Sequence, residues 1–211
     1  HLPDPDTALN NLERLASGAP ADVLEYLGAS PTALHNLLTL FSYSQHLSDT
    51  LIRQPRLAIW LHEPREPGRP APLHQAEIRE QMLPELKAFV EQPEQARADL
   101  STQLARFKRR EYLRVALRDV LRLATLPEVT RELSALADAL LEYALERVQA
   151  ELQQRYGTPM LPASAGGPAA ECSFTILSLG KLGGNELNYS SDIDLIFLYR
   201  ANGETTQGLS N

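Results

Sequence analysis

Asp192 and Asp194 are the residues of this 211-residue chain whose type and spacing best suit chemistry. They lie in Ser190-Ser191-Asp192-Ile193-Asp194-Leu195-Ile196-Phe197-Leu198, apolar beyond the second acid and rich in β-formers. A strand here predicts that both carboxylates leave one face with Cα atoms roughly 6–7 Å apart, a clamp for a divalent cation. Like charges that close repel, and a bound Mg2+ or Mn2+ reverses the penalty. Upstream, in Leu179-Gly180-Lys181-Leu182-Gly183-Gly184-Asn185, the glycine pair lets the backbone approach a ligand and suits N–H groups presented to phosphate oxygens. A tight hairpin turn is the plainer reading of Gly183 and Gly184. Lys181 is either a phosphate ligand or a solvated loop lysine. Neither the Walker A order nor the dinucleotide fingerprint is present.

Composition narrows the chemistry further. Cys172 is the only cysteine, and the histidines (His1, His35, His46, His62, His74) show no metal-binding spacing. Metal chemistry must therefore rest on carboxylates, which favours hard cations. A net charge of −7 and pI near 5.3 disfavour nucleic acid as a partner. No apolar run approaches the roughly 20 residues needed to span a bilayer, and His-Leu-Pro-Asp-Pro-Asp is no signal peptide, so a cytoplasmic protein is expected. The missing initiator Met reads as the mark of an excised segment. With 43% hydrophobic and 22% charged residues the chain is expected to fold into a packed domain or two.

The elements that must position the acids fall into two parts. No glycine occurs between Gly68 and Gly157, and the pattern before Gly157 is helical. Ser30-Pro31 reads as an N-cap with proline at the first helical position, and Gln54-Pro55 begins another short helix. Residues 75–90 and 93–123 read as longer helices. The clearest runs over 126–155, opened by the capping-box form Thr125-Leu126-Pro127-Glu128 and closed by Gly157. Its stripe of Val129, Leu133, Leu136, Leu140, Ala144, Val148 and Leu152 needs partners, so a helical bundle is expected over 1–156. The proline-rich stretch 62–74 and residues 157–171, with Gly166-Gly167, read as connectors. From 172 the period becomes strand-like. Phe174–Leu179 and Ile193–Tyr199 are almost continuously apolar, which predicts strands buried on both faces of a larger mixed sheet left unfinished in this chain.

Arg106, Arg110, Arg114, Arg118 and Arg122 recur every four residues. They read as a solvated face paired with Glu111 and Asp119, or else as a surface for an acidic partner. Tyr112 and Phe107 on the same helix read as core, and Trp60 as a packing anchor.

A glycine pair followed by an Asp-x-Asp strand resembles the polymerase-β type nucleotidyltransferase signature. The complete run from Gly180 through Phe197 is sharper, and is similar to the bifunctional glutamine synthetase adenylyltransferase/adenylyl-removing enzymes, as is Pro127–Leu141 upstream. That resemblance implies a mainly α chain: a helical bundle, then the truncated start of a polymerase-β-like nucleotidyltransferase α/β domain over 172–211. It implies that Asp192 and Asp194 hold Mg2+ or Mn2+, and that Gly183, Gly184 and Ser191, with Lys181, line the phosphate path. Glutamine synthetase is the implied protein substrate, the PII signal protein a partner, and ADP, ATP and phosphate the small ligands, in the control of nitrogen assimilation. Glu-Leu-Asn-Tyr-Ser-Ser-Asp-Ile-Asp followed by Thr206-Gln207-Gly208 is more similar to the deadenylylating half, which removes AMP by phosphorolysis, than to the half that adds AMP from ATP. A helical docking module remains a third reading. The third carboxylate that such enzymes carry on a later strand is missing: Glu204 is the only acid after Asp194 and sits in an Asn-Gly-Glu turn.

Overall fold

The computed structural model describes residues 2–64, 70–161 and 170–207. Parts of both expected connectors, 65–69 and 162–169 with Gly166-Gly167, lie outside the described residues, as does Gly208. The chain is mainly helical: α1 (Pro5–Gly18), α2 (Ala21–Ala29), α3 (Pro31–Tyr43), α4 (Gln45–Arg53), α5 (Leu57–His62), a 3-10 turn (Pro72–His74), α6 (Arg79–Val90), α7 (Leu100–Val120) and α8 (Leu126–Tyr156). Then come β1 (Pro159–Met160), β2 (Phe174–Ser178), the short α9 (Gly180–Gly183), β3 (Leu195–Tyr199) and β4 (Glu204–Thr205).

Local chemistry explains most helix ends. Ser30 accepts from the Ala33 N–H as expected, and Asp4, Ser44 and Asp99 cap α1, α4 and α7 in the same way. The Thr125 N–H donates to the Glu128 carboxylate at 2.6 Å, closing the expected box, and Gly157 ends α8 at φ +82°. Two expected helices are shorter than their periodicity suggests. Residues 75–78, 93–99 and 121–123 lie outside α6 and α7; Asp99 caps α7, so that helix starts only at Leu100.

α7 is the axis of the molecule. Its Leu113, Ala116 and Leu117 join a core with α1–α5, its Phe107 a second with α6 and α8, and its Val115 a third with Val129 and Leu133 of α8. Tyr112 packs against all three, and Phe107 is fully buried, as expected of both. Trp60 packs against the first core and stacks with the Arg110 guanidinium 4.7 Å from its ring centre.

Burial of the middle of α7 corrects the solvated-face and partner-surface readings for Arg110, Arg114 and Arg118; the expected pairing with Glu111 holds, while Arg106 is half-buried and Arg122 exposed. Arg110, Arg114 and Arg118 face neither solvent nor a partner; they are buried among side chains. Glu111 stands 2.8 Å from both Arg110 and Arg114, and Glu132 of α8 stands 2.8 Å from Arg114 and 3.4 Å from Arg118. Arg114 also donates to the Gln75 carbonyl at 2.6 Å and Arg118 to that of Leu73 at 3.3 Å, fastening the 3-10 turn to α7. Burial opposes the Arg114 charge, but Glu111, Glu132 and Glu77 outweigh it and hold its pKa above the ordinary arginine value. Four-residue spacing is the same whether a stripe faces water or carboxylates from a neighbouring helix, so periodicity could not distinguish them.

The strands also differ from expectation. β2 and β3 form an antiparallel pair with Phe174 opposite Tyr199 and Ser178 opposite Leu195, and β1 pairs antiparallel with β4, so no mixed sheet forms among the described residues. The strands are not buried on both faces. Leu177, Ile196 and Leu198 are 48%, 41% and 46% exposed because no described element covers them. β1 falls inside the expected connector, and Met160 bridges to Glu171 there. At the far end of α8 the stripe residues Val148 and Leu152 stay exposed and line an apolar groove of about 840 Å³ against the strands.

Removing one member of a buried ion cluster leaves its partners' charges uncompensated. Glu132→Ala should therefore cost about 3–5 kcal/mol in urea unfolding. Glu146→Ala, which breaks a half-exposed pair with Lys87 at 2.8 Å, should cost about 1 kcal/mol or less. A second expectation concerns His62, whose Nδ1 lies 2.8 Å from the Ala58 carbonyl and whose Nε2 lies 3.1 Å from the Asn36 amide nitrogen. Burial lowers its pKa below the ordinary 6.5, so as pH falls the unfolded chain takes up this proton first. The His62 contribution is thus complete above pH 6.5 and is lost as pH falls through the lower folded value. Thermal midpoints from pH 8 to 5 should fall less steeply in His62→Gln than in the parent.

Candidate functional site

The segment joining β2 to β3 carries every residue singled out for chemistry. Leu179 continues the strand ladder by donating its N–H to the Asp194 carbonyl at 2.9 Å. Gly180 then turns the chain at φ +55°, where a side chain is strained, and a Cβ there would come within 3.1 Å of the Asp194 carboxylate. One short turn of helix follows, in which Gly183 N–H bonds to Leu179 and Gly184 N–H to Gly180. These amides are therefore satisfied within the turn rather than presented to phosphate, and the pair forms no simple hairpin turn. Gly183 is required for space: a Cβ would lie 2.6 Å from the Ser178 carbonyl oxygen, whereas one on Gly184 would meet only the flexible Glu186 side chain at 3.4 Å.

Asp192 and Asp194 lie just before β3, not within it, so the expected strand alternation does not fix their relation. Asp194 is at the end of the ladder and Asp192 two residues earlier in irregular backbone. Both are exposed, and neither is held in an ion pair among the described residues. Their hard oxygens fit Mg2+ or Mn2+ in kind, and they could supply part of a ligand set. No group of three or more His, Cys, Asp or Glu residues suited to a metal occurs among the described residues.

Beside the acids, Lys181 donates to the Ser191 hydroxyl at 3.2 Å, and that hydroxyl donates to Asn188 Oδ1 at 2.7 Å. Asn188 Oδ1 also accepts from the Ser190 N–H at 3.1 Å. The structure thus brings Lys181 against Ser191. A cavity of about 350 Å³ opens on the α8 side of Gly183, lined also by Arg79, Asp138, Glu142, Ser178 and Asn185. Burial, with help from Glu142, raises the Asp138 pKa despite the opposing Arg79 charge.

What sequence reasoning missed is how this segment is held. Leu182 and Leu187 are buried with Val115, Val129 and Leu133 in the seam between α7 and α8. The Leu187 N–H donates to the hydroxyl of fully buried Ser134, which itself donates to Thr130 at 2.9 Å. Tyr189 donates its phenol to Asp119 at 3.1 Å, and its backbone carbonyl accepts from the Tyr112 hydroxyl. Partial burial and the Asp119 charge raise the Tyr189 pKa, which keeps the phenol protonated as a donor. Ser134, a lone polar residue in the Leu133–Leu136 run, was the available signal.

Fold and site together define a mainly helical protein with a paired-acid segment clamped onto two long helices. A family profile described as glutamate-ammonia ligase adenylyltransferase matches residues 34–211, and the chain belongs to that family. It is 36% identical over 204 residues to the bifunctional glutamine synthetase adenylyltransferase/adenylyl-removing enzyme of Thioalkalivibrio sulfidiphilus, covering 95% of this chain and 20% of that protein. The same enzyme of Shewanella loihica is 37% identical over 196 residues (93% and 19%), and that of Pseudomonas aeruginosa 34% over 206 (97% and 20%). The chain thus spans about a fifth of the curated relatives it matches.

Filling the space at Gly183 forces the β2 backbone to shift. Gly183→Ala should destabilise the protein by about 1–3 kcal/mol and Gly184→Ala by less, as compared by thermal unfolding of the two variants.

Proposed function

We propose that this chain contributes to the removal of AMP from adenylylated glutamine synthetase by metal-dependent phosphorolysis. Orthophosphate would attack the phosphorus of the AMP-tyrosine bond. The bond to the tyrosyl oxygen breaks, that oxygen takes up a proton, and ADP leaves. The observation that carries the reading is the Lys181–Ser191 hydrogen bond immediately before Asp192 in the chain, with Asp194 at the end of the β2–β3 ladder, in a chain of this family.

Asp192 and Asp194 would hold Mg2+ or Mn2+, which when bound neutralises charge developing on the phosphate oxygens and the departing tyrosyl oxygen. Lys181 and Ser191 would orient phosphate oxygens by hydrogen bonding. Gly183 and Gly184 would border the phosphate path through the shape of the turn rather than through their N–H groups, which are already bonded. Residues 172–211 form the start of a nucleotidyltransferase α/β domain in this reading, 1–156 the helical region before it and 157–171 the linker. A cytoplasmic location, ATP or ADP as nucleotide and the PII signal protein as regulator complete the proposal; no helix among the described residues is long and apolar enough to cross a membrane. The relatives' printed names join adding and removing activities, so transfer of AMP from ATP is the second reading.

The test uses the full-length protein. Asp192→Asn with Asp194→Asn should reduce orthophosphate-dependent ADP release from adenylylated glutamine synthetase by roughly a thousandfold or more, several kcal/mol of transition-state stabilisation. Undiminished release would overturn the metal assignment. Loss of ATP-dependent labelling of unmodified glutamine synthetase, with phosphorolysis intact, would assign this segment to the adding activity. Retained binding with neither turnover, before and after the substitutions, would leave a docking module.

A further inference from the structure

We propose that Tyr112, Asp119 and Ser134, all on the helical region, are positioning residues that fix the acidic segment for cation binding. The inference rests on the assignment of Asp192 and Asp194 made above.

Among the described residues no ion pair holds the carboxylate of Asp192 or Asp194: both are exposed and precede β3. Their placement comes from the two ends of the segment. Downstream, the Asp194 carbonyl is fixed by the Leu179 N–H at 2.9 Å. Upstream, the restraints come from the helices. The Leu187 N–H is bonded in the interior to Ser134 at 3.1 Å, and Tyr189, three residues before Asp192, is gripped at both its phenol and its carbonyl. The rings of Tyr112 and Tyr189 also meet edge to face, with centres 5.3 Å apart.

Tyr112 is itself wedged against all three cores, so the carbonyl it holds is referenced to the whole helical scaffold. Without that grip, the backbone between Leu187 and Asp194 would lose a fixed point close to the acids. Two carboxylates bind a cation well only when the geometry is held before the cation arrives, because ordering them otherwise subtracts from the binding free energy.

The experiment measures Mn2+ binding by the full-length protein in the presence of ADP, from the paramagnetic resonance signal of the free ion. Hydrogen exchange across residues 188–194 is followed in parallel. Tyr112→Phe keeps the ring and removes only the donor. It and Tyr189→Phe should each weaken Mn2+ binding roughly threefold to tenfold, the worth of one hydrogen bond, and speed exchange in the acidic segment while α7 and α8 stay protected. Asp119→Asn, which retains an oxygen acceptor, should bind Mn2+ far more like the parent than Asp119→Ala does. This last comparison decides the matter if a Phe variant does not fold. A purely structural role would lower the folded fraction but leave Mn2+ affinity per folded molecule unchanged, and that result overturns the proposal. The Asp192→Asn plus Asp194→Asn variant separates the two levels. If it binds Mn2+ as the parent does, the acid assignment fails. If it does not bind while all tether variants bind normally, only the positioning inference fails.

Discussion

Three arginines can lie inside this protein only because Glu111 and Glu132 meet them there. An unpaired guanidinium in a core is too costly to persist, so the pairing of Arg114 and Arg118 with Glu132 dictates how α7 and α8 sit against each other, while Glu111 completes the pairing within α7. That pairing has structural reach. α7 borders all three hydrophobic cores, and its arginines also hold the carbonyls of Leu73 and Gln75, so the same charges fasten the segment entering α6. A hydrophobic axis could have filled this space without fixing rotation about the helix. Specific acid–base partners fix it.

The seam so defined is where the chemistry-bearing segment docks. Leu182 and Leu187 enter it from the segment between β2 and β3, and Ser134 satisfies the backbone N–H of Leu187. The acids stand outside the seam and are exposed, as the cation binding proposed for them requires. The apolar face of β2 and β3 is likewise uncovered among the described residues. The strands are stabilised on this chain mainly by each other and by the anchored turn between them. Most of the organising free energy therefore lies in the helices, and the site takes its geometry from them.

Local signals were the legible ones. Ser30-Pro31, Thr125 with Glu128, and Gly157 each announced a helix end through chemistry confined to one turn of chain, and each is found where the residues placed it. The run from Gly180 to Phe197 pointed to the family from residue identity alone, and the match over 34–211 bears that out. The expected functions of individual residues fared differently. Gly183 is essential because the Ser178 carbonyl lies where its Cβ would be, a contact between neighbouring elements that the glycine pair alone did not reveal. Asp192 and Asp194 were expected on a strand because the run they open is apolar and rich in β-formers, but β3 begins only at Leu195.

The sequence by itself determined the helical character of residues before Gly157, the helix caps, the two apolar strands and the family, since all of these are written in propensities, short spacings and residue identities. Only the tertiary structure decided that the Arg110–Arg118 stripe is internal, that Tyr189 is tied to Asp119 and Tyr112, and that Ser134 supports the acidic segment. The reason is physical. A charged or polar side chain at a given helical phase suits either water or a buried partner, and the choice is made by which oppositely charged or hydrogen-bonding group the packing of a distant segment brings within about 3 Å.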